Sequence, residues 1–287
     1  MNEEYLYSSD QHIPHNGLWI RLWRRRSVKL GCSLLALVFS LAIFGPLYSS
    51  YLPSEIQLID KNHPPCSKFW FGTDELGRDL FVRVCWGARI SLFIGILATL
   101  IDTLIGVLWA AFVVQIGGKW EQYLMRICDI LHSIPYLLLA MFLTLVRGSG
   151  LTTVLMAITM TGWIHMARIL RPHMLQLKKQ EYILMATVLG ASPSRIIFHY
   201  LIPNSISLIF ITMTQSVPAA IFTEAFLSFL GLGLQVPTAS WGSMINEGIG
   251  AMSYYPWRML FPAFFITLTT LAFHLLGQGF RDVLDEQ

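Results

Sequence analysis

The chain has 287 residues, of which 54% are hydrophobic and only 13% are charged. Soluble domains carry about a quarter charged residues, so this composition excludes an ordinary soluble protein and predicts an integral membrane protein. The formal net charge is +3. Because no basic stripe is interleaved with aromatic residues, we expect no nucleic-acid partner.

Six long apolar stretches follow one another along the chain. A helix needs about 20 apolar residues to cross about 30 Å of hydrocarbon, at a rise of about 1.5 Å per residue. The stretches of suitable length are residues 30–52, 90–116, 123–146, 151–167, 205–230 and 259–279. The first is too long for a typical signal peptide and lacks a small-residue cleavage pattern, so we expect it to be retained. The sequence therefore predicts an all-α integral membrane protein with six transmembrane helices.

The spans divide the chain into four predicted segments. In chain order these are an N-terminal tail (1–28), a first transmembrane helix (29–52), an extracytoplasmic loop (53–88) and a five-helix core (89–284) that includes a cytosolic loop (168–204). Within the extracytoplasmic loop, Leu80, Phe81 and Val84 recur at helical spacing. This spacing predicts a separate helix over residues 77–86 that lies along the outer membrane surface.

The distribution of lysine and arginine predicts the orientation, because cytoplasmic loops carry an excess of these residues. With the N-terminus inside, thirteen of the 20 basic residues face the cytosol: Arg21, Arg24, Arg25, Arg26, Lys29, Lys119, Arg126, Arg168, Arg171, Lys178, Lys179, Arg195 and Arg281. We therefore expect both termini and the 168–204 loop to be cytosolic.

The most informative stretch is residues 181–203, a polar-flanked island with helix punctuation at its centre. Gly190 can end one short helix in a left-handed conformation. Ser192 can cap the next helix, and Pro193 suits its first turn because the missing N–H would be unpaired there.

Each of the two predicted short helices has one apolar face. The residues of the first face are Tyr182, Met185, Ala186 and Leu189, and those of the second are Ile196, Ile197, Tyr200 and Leu201. Short amphipathic helices outside a membrane need a cover for such faces, and a groove on a partner protein would provide one.

Carboxylates in or near membrane spans are candidates for function. Asp129 lies one helical turn from Arg126, which predicts a local ion pair. Pro218 is predicted to kink or break its span, as occurs where a pathway opens. Glu224 either satisfies polar backbone near that kink or lines a cavity, and for Asp102 the structural and pathway roles stay equally open.

No enzyme or metal signature occurs in the sequence. A P-loop, a His-Glu-x-x-His motif and a nucleophile elbow are all missing, so we expect no catalytic residue and no cofactor bound by this chain. His132, His165 and His274 occupy different spans without companions at ligand spacing, so we expect no metal site. Cys66 and Cys85 either pair on the outer side or remain two free thiols.

Residues 181–203 resemble the coupling loop of ABC-importer permeases, whose signature is Glu-Ala-Ala, three residues, Gly, nine residues, Ile-x-Leu-Pro. The positions that fit are Ala186, Gly190, Ile202 and Pro203. The positions that depart are Leu184, Met185 and Tyr200, which replace the glutamate, the first alanine and the isoleucine.

Further motifs are similar to the oligopeptide/dipeptide/nickel permease family, in particular to its permease C type. They lie in residues 71–79, 87–95, 224–233, 235–242, 256–262 and 271–282, and the resemblance covers residues 25 to 285 in one register. Departures from the family pattern are Val236 and Ala239 for prolines, His274 for asparagine and Gln278 for aspartate.

The resemblance implies a type I ABC-importer permease fold in a bacterial inner membrane, with a second homologous permease and an extracytoplasmic solute-binding protein as partners. It also implies two ABC ATPase subunits that hold ATP and Mg²⁺. The implied coupling residues are Ala186, Gly190, Ala191, Ser192, Pro193, Ile196, Tyr200, Ile202 and Pro203, and the candidate cavity or gate residues are Asp102, Pro218 and Glu224.

The substrate class that the resemblance implies is an oligopeptide or a dipeptide. Nickel or another small solute carried by the same machinery is the first alternative. An intramembrane hydrolase is a remote alternative, because the sequence shows no catalytic pair. A passive channel would have no use for a paired-helix cytosolic loop.

Overall fold

The computed structural model describes residues 21–49, 51–235 and 238–284. Most of the predicted tail, together with Ser50 of the first predicted span and Val236, lies outside these residues. The described helices are α1 (Arg26–Phe44), α2 (Leu80–Ile116), α3 (Gly118–Ser133), α4 (Tyr136–Arg147), α5 (Leu151–Leu177), α6 (Glu181–Val188), α7 (Pro193–Ile196), α8 (Ile202–Asn204), α9 (Ile206–Phe229), α10 (Trp241–Ile249) and α11 (Trp257–Leu284). The described ranges hold no β-strand beyond an isolated bridge between Thr73 and Asp79.

Five of these helices are long and apolar enough to cross a membrane: α1 with the turn that follows it, α2, α5, α9 and α11. A sixth span is present when α3 and α4, which meet at an angle of 72°, are counted as one bent element. The predicted all-α membrane fold is therefore confirmed. The predicted count of six holds with α3–α4 as one span.

The bend between α3 and α4 corrects the continuous helix predicted over residues 123–146. Pro135 has no N–H, and its ring pushes the preceding residue out of the helical region. Ile134 accordingly has φ −68° and ψ 122°, which is extended backbone. The helix therefore ends before the proline, and a new helix begins at Tyr136.

Residues 80–86 are helical, as predicted, but they do not form a separate surface helix over residues 77–86. Asp79 caps α2 by accepting a hydrogen bond from the Phe81 N–H at 3.0 Å, and the helix then runs unbroken to Ile116. Leu80 and Val84 belong to the central core cluster. The first turns of α2 are thus buried in the bundle because α1, α10 and α11 cover them.

Two other predicted boundaries also differ from the structure. The first span was expected to reach residue 52, but α1 ends at Phe44, where a short 3₁₀ turn containing Pro46 follows. The fourth span was expected to end at residue 167, but α5 continues through Pro172 to Leu177. Residues 168–177 of the predicted cytosolic loop are therefore helical.

The helix α2 lies at the centre of the bundle, and small residues allow its neighbours to approach closely. A Cβ at Gly95 would overlap the Ile221 side chain of α9, and a Cβ at Gly106 would lie 2.6 Å from the Trp163 carbonyl of α5. Close backbone approach is the main source of packing energy between helices in lipid, where hydrophobic burial gives little drive.

The described chain ends lie at the same end of the bundle. Val28 of α1 and Val283 of α11 share a buried cluster. Just after α5, the Lys178 Nζ donates to the carbonyls of Val114 and Gln115 at the end of α2, at 2.8 and 3.0 Å. The loop between α1 and α2 lies with α10 at the opposite end.

At that opposite end a buried ionic network joins the loop before α2 to α2 and α10. Asp74 pairs with Arg78 at 2.6 Å and also with Arg83, and both side chains of that second pair are 2% exposed. Glu247 of α10 accepts from Arg78 at 2.8 Å and from both Nη atoms of Arg83 at 2.8 and 2.9 Å. Arg258 of α11 donates to the Glu247 carbonyl at 2.9 Å.

The ionisation of Asp74 in this network depends on the two arginines that contact it. Burial alone would raise the pKa of Asp74, but Arg83 and Arg78 outweigh burial and hold that pKa below its ordinary value. The folded state therefore stabilises the ionised carboxylate of Asp74 over the protonated form. Its contribution to stability is complete above the ordinary carboxyl pKa and is lost as the pH falls through the lower folded value.

We predict that Asp74→Asn lowers the thermal unfolding temperature of the detergent-solubilised protein. Breaking a buried pair leaves Arg78 and Arg83 short of countercharge, which costs about 3–5 kcal/mol.

Glu75→Gln is the matched control, because the Glu75 side chain is 53% exposed and its ion pair with Arg258 is long, at 3.3 Å. We expect this control to change stability by less than about 1 kcal/mol. The difference between wild type and Asp74→Asn should shrink once the pH falls below about 3.8. A difference of equal size at about pH 3 would contradict the assignment.

Candidate functional site

The segment between α5 and α9 is built from three short helices. Gly190, at φ +85°, ends α6 in the left-handed conformation. The Gly190 N–H donates to the Thr187 carbonyl and the Ala191 N–H to the Ala186 carbonyl, both at 3.0 Å. This pair of bonds is the Schellman arrangement that glycine favours at a helix C-terminus.

The second short helix begins as the sequence predicts. The Ser192 Oγ accepts a hydrogen bond from the Arg195 N–H at 3.3 Å, and Pro193 occupies the first turn of α7. A π-helical turn over Ile197–Leu201 then leads into α8. The chain thus turns back to the membrane bundle within about a dozen residues.

One face of this segment is buried against the bundle. Ile183 of α6, Ile196 of α7 and Leu201 of the π-helical turn are at most 2% exposed and join a cluster with residues of α2, α5 and α9. Ile197 and Tyr200 pack against the same cluster. The second predicted apolar face is therefore covered by this chain itself and does not require a partner, because α7 and the turn fold back onto the bundle, where the turn contacts α2.

The first short helix differs, because its apolar side chains point outward except for Ile183. The exposed apolar residues of the segment are Tyr182, Leu184, Met185, Val188, Leu189 and Phe198. We call these six residues the exposed apolar patch. Val188 and Leu189 are 83% and 84% exposed, and contiguous apolar surface of this kind marks interaction sites.

The sequence-predicted coupling residues are divided between the two sides of the segment. Ile196 is buried; Ala186, Ala191, Tyr200 and Ile202 are half-buried; Gly190, Ser192, Pro193 and Pro203 are exposed. Sequence reasoning missed Leu184, Val188 and Phe198. The one available signal was that α6 is apolar on nearly all sides, which is unusual for a short helix outside a membrane.

Asp102 lies between α2 and α5 and is 9% exposed. A Cβ at Gly162 of α5 would overlap its carboxylate, so only glycine leaves room for this side chain. The Asp102 Oδ1 and the hydroxyls of Thr99 and Thr103 have no hydrogen-bond partner among the described residues. The structure thus places Asp102 inside the subunit, away from the short-helix segment.

Glu224 is completely buried where α2, α9 and α10 meet. Ser91 Oγ donates to its Oε2 at 3.0 Å, and Ser228 Oγ donates to its Oε1 at 2.8 Å. The Ser91 hydroxyl also accepts the backbone N–H of Trp241 at 3.3 Å. These contacts satisfy the Glu224 carboxylate with serine hydroxyls inside the chain, and neither of the two roles that the sequence leaves open is decided by them.

Pro218 is buried within α9, which runs unbroken from Ile206 to Phe229. The helix therefore has no break at this residue, and the kink that the sequence also allows stays a prediction. The structure brings neither Pro218 nor Glu224 into contact with the exposed apolar patch.

The predicted ion pair between Asp129 and Arg126 is wrong. Asp129 of α3 instead pairs with Arg168 of α5 at 2.8 Å. Because α5 continues beyond residue 167, Arg168 is carried on a rigid helix beside α3. The partner thus comes from tertiary structure and could not be read from helical spacing.

Within the described ranges no group of three or more His, Cys, Asp or Glu side chains could hold a metal ion. Cys66 and Cys85 are free thiols in this structure.

Comparison with known proteins gives two family matches. Residues 102–287 match the family described as binding-protein-dependent transport system inner membrane component. Residues 17–65 match the N-terminal transmembrane domain of oligopeptide transport permease C. The first match alone covers more than half of the chain.

Individual relatives extend over nearly the whole sequence. The oligopeptide transport system permease protein OppC of Bacillus subtilis (strain 168) is 50% identical over 265 residues, which are 91% of this chain and 87% of the relative. The dipeptide transport system permease protein DppC of the same strain is 47% identical, covering 93% and 84%. The glutathione transport system permease protein GsiD of Escherichia coli O157:H7 is 38% identical, covering 99% and 95%.

Among solved structures, a chain of the inward-facing MetNI methionine ABC transporter has a TM-score of 0.56 at 18% identity. The similarity covers 70% of this chain and 94% of that chain, and it concerns the fold. With its five or six spans and these relatives, the chain belongs to the family of binding-protein-dependent transport system inner membrane components and is of the oligopeptide/dipeptide permease C type.

Proposed function

We propose that this chain is one of two membrane-spanning subunits of an ATP-driven importer that carries short peptides into the cytoplasm. The relatives are named for oligopeptides, dipeptides and glutathione, and all three are peptides. The observation that carries the proposal is the exposed apolar patch, which no described part of the chain covers. This surface fits a groove on an ATPase subunit.

The proposed orientation places both termini and the patch in the cytosol. Its support is the excess of lysine and arginine at the end of the bundle where α6 lies. The opposite end, with the ionic network and α10, then faces the solute-binding protein. In this arrangement the second permease subunit completes the pathway.

The chemistry of ATP hydrolysis belongs to the partner ATPases, which bind ATP and Mg²⁺. This chain contributes a mechanical connection and no catalytic residue. Ile183, Ile196 and Leu201 fix the short-helix segment to α2, α5 and α9. A displacement of α6 by an ATPase is therefore transmitted to three spanning helices at once. The permease halves then alternate between inward and outward states by rigid-body motion.

The overall function predicts ATP-dependent accumulation of a labelled tetrapeptide in proteoliposomes that contain the chain, the partner permease, the ATPases and the binding protein. We expect excess unlabelled peptide to compete and Ni²⁺ to have no effect. Accumulation of Ni²⁺ with no peptide uptake would contradict the peptide assignment.

The docking role predicts that Leu189→Glu separates the permease from its ATPases. Full burial of a leucine side chain contributes about 1.5–3 kcal/mol, so replacing it with a charge should weaken association at least ten-fold. Co-purification of the ATPases with tagged permease measures this loss.

Ile59→Glu is the matched control, because Ile59 is fully exposed in the loop at the opposite end of the bundle. We expect it to retain the ATPases and to insert normally. Undiminished ATPase recovery with Leu189→Glu would refute the assignment of the patch.

Gly190, which ends α6 in the left-handed conformation, is the hinge between α6 and α7 in this proposal, and we predict that Gly190→Val uncouples transport while membrane insertion stays intact. A Cβ at this position would have no heavy atom within 4 Å, so the effect comes from the backbone alone. The left-handed conformation costs a residue with a Cβ about 1–2 kcal/mol, and a β-branched side chain is a true outlier there. Gly190→Asn is the control, because asparagine tolerates that conformation. Peptide uptake equal to wild type in Gly190→Val proteoliposomes would show that the hinge is not required.

A further inference from the structure

An apolar groove on the outside of the bundle runs between α1 and α2 and has a volume of about 430 Å³. Phe39 and Ile43 line it from α1, and Leu92, Phe93 and Leu97 line it from α2. The groove has no role in the proposed coupling mechanism.

The groove ends at a charged side chain. The Arg89 Nε donates to the Ala42 carbonyl at 2.6 Å, and its Nη2 donates to the Ile43 carbonyl at 2.9 Å. The guanidinium also lies over the Trp86 ring, with its carbon 4.5 Å from the ring centroid. These three contacts hold a positive charge at the mouth of the groove.

That charge lacks a countercharge. Within the described ranges no carboxylate forms an ion pair with Arg89, and its Nη1 has no protein acceptor. Arginine presents a planar fork that matches the oxygens of a phosphate or carboxylate. An anionic oxygen ligand would therefore complete its coordination.

The length of the groove fits one leaflet of a bilayer. Arg89 contacts the last turn of α1, close to the end of the candidate span Arg26–Leu47. From Arg89 to Leu100 the α2 backbone rises about 16 Å, at about 1.5 Å per residue. Half of the roughly 30 Å hydrocarbon core is about 15 Å. The groove thus has the depth of a single acyl chain.

We propose that this groove binds one anionic phospholipid, with an acyl chain between α1 and α2 and the phosphate on Arg89. A helix from another subunit could fill the apolar part, but it would need a carboxylate at the level of Arg89. A phospholipid supplies both parts in one molecule, and the membrane around this protein consists of such molecules. Its acyl chain fills the space that the side chains of α1 and α2 leave open.

The test is native mass spectrometry of the purified full-length chain, titrated with phosphatidylglycerol, with phosphatidylcholine of the same acyl chains, and with acyl-free glycerophosphoglycerol. We expect phosphatidylglycerol to bind about five-fold more tightly than phosphatidylcholine, the effect of one arginine near an anionic lipid. Arg89→Gln should abolish this preference. Leu97→Trp, which leaves Arg89 untouched and fills the groove, should weaken both lipids.

Arg147→Gln is the control, because Arg147 is an exposed arginine at the end of α4. We expect it to keep the wild-type preference for phosphatidylglycerol. Equal binding of the two lipids to wild type, or an unchanged preference in Arg89→Gln, would overturn the proposal. Competition by glycerophosphoglycerol as strong as that of the whole lipid would also overturn it, because the groove would then contribute nothing.

A photo-crosslinker at Phe93 in the assembled complex should capture lipid; capture of a second subunit would exclude lipid as the occupant.

Discussion

The packing of α2 against its neighbours is the constraint on which the rest of the structure depends. This helix has 37 residues, so its length of about 55 Å exceeds the hydrocarbon core. Its first turns take part in the ionic network through Arg83, and its last carbonyls accept from Lys178 beside the short-helix segment. One rigid rod therefore connects the two ends of the bundle. Gly95 and Gly106 allow α9 and α5 to pack closely against α2. A movement of either neighbour therefore displaces α2.

The sequence predicted those features whose cause is local. The long apolar runs identify spanning helices because the bilayer offers no hydrogen bonds to an unpaired backbone. Gly190, Ser192 and Pro193 adopt the predicted helix end and helix start because their preferences come from their own backbone and side-chain chemistry. The motifs that resemble permeases of the oligopeptide type indicated the family to which the chain belongs.

The features that escaped prediction depend on neighbours distant in sequence. Leu80 and Val84 fit a surface helix equally well by spacing, and only the cover that α10 and α11 provide shows that they are core. Asp129 has a cation one turn away, yet Arg168 from another helix becomes its partner. In α6 the buried residue is Ile183, which the helical pattern did not favour, because the orientation of so short a helix is decided by what it packs against.

The two ends of the bundle also differ in how firmly they are held. At one end, buried ion pairs join the loop before α2 to α2 and α10. These bonds are directional, so a shift of one element against another would break them. At the other end, the short-helix segment is attached mainly by the apolar contacts of Ile183, Ile196 and Leu201, which tolerate small shifts. Under the proposed function, a force applied at α6 reaches α2, α5 and α9 through packed apolar side chains that can shift slightly. The ion pairs meanwhile hold the opposite end of α2 in place. Under the same proposal, a push at one end tilts α2 about its anchored end and α5 and α9 move with it, which is the rigid-body motion that alternating access requires.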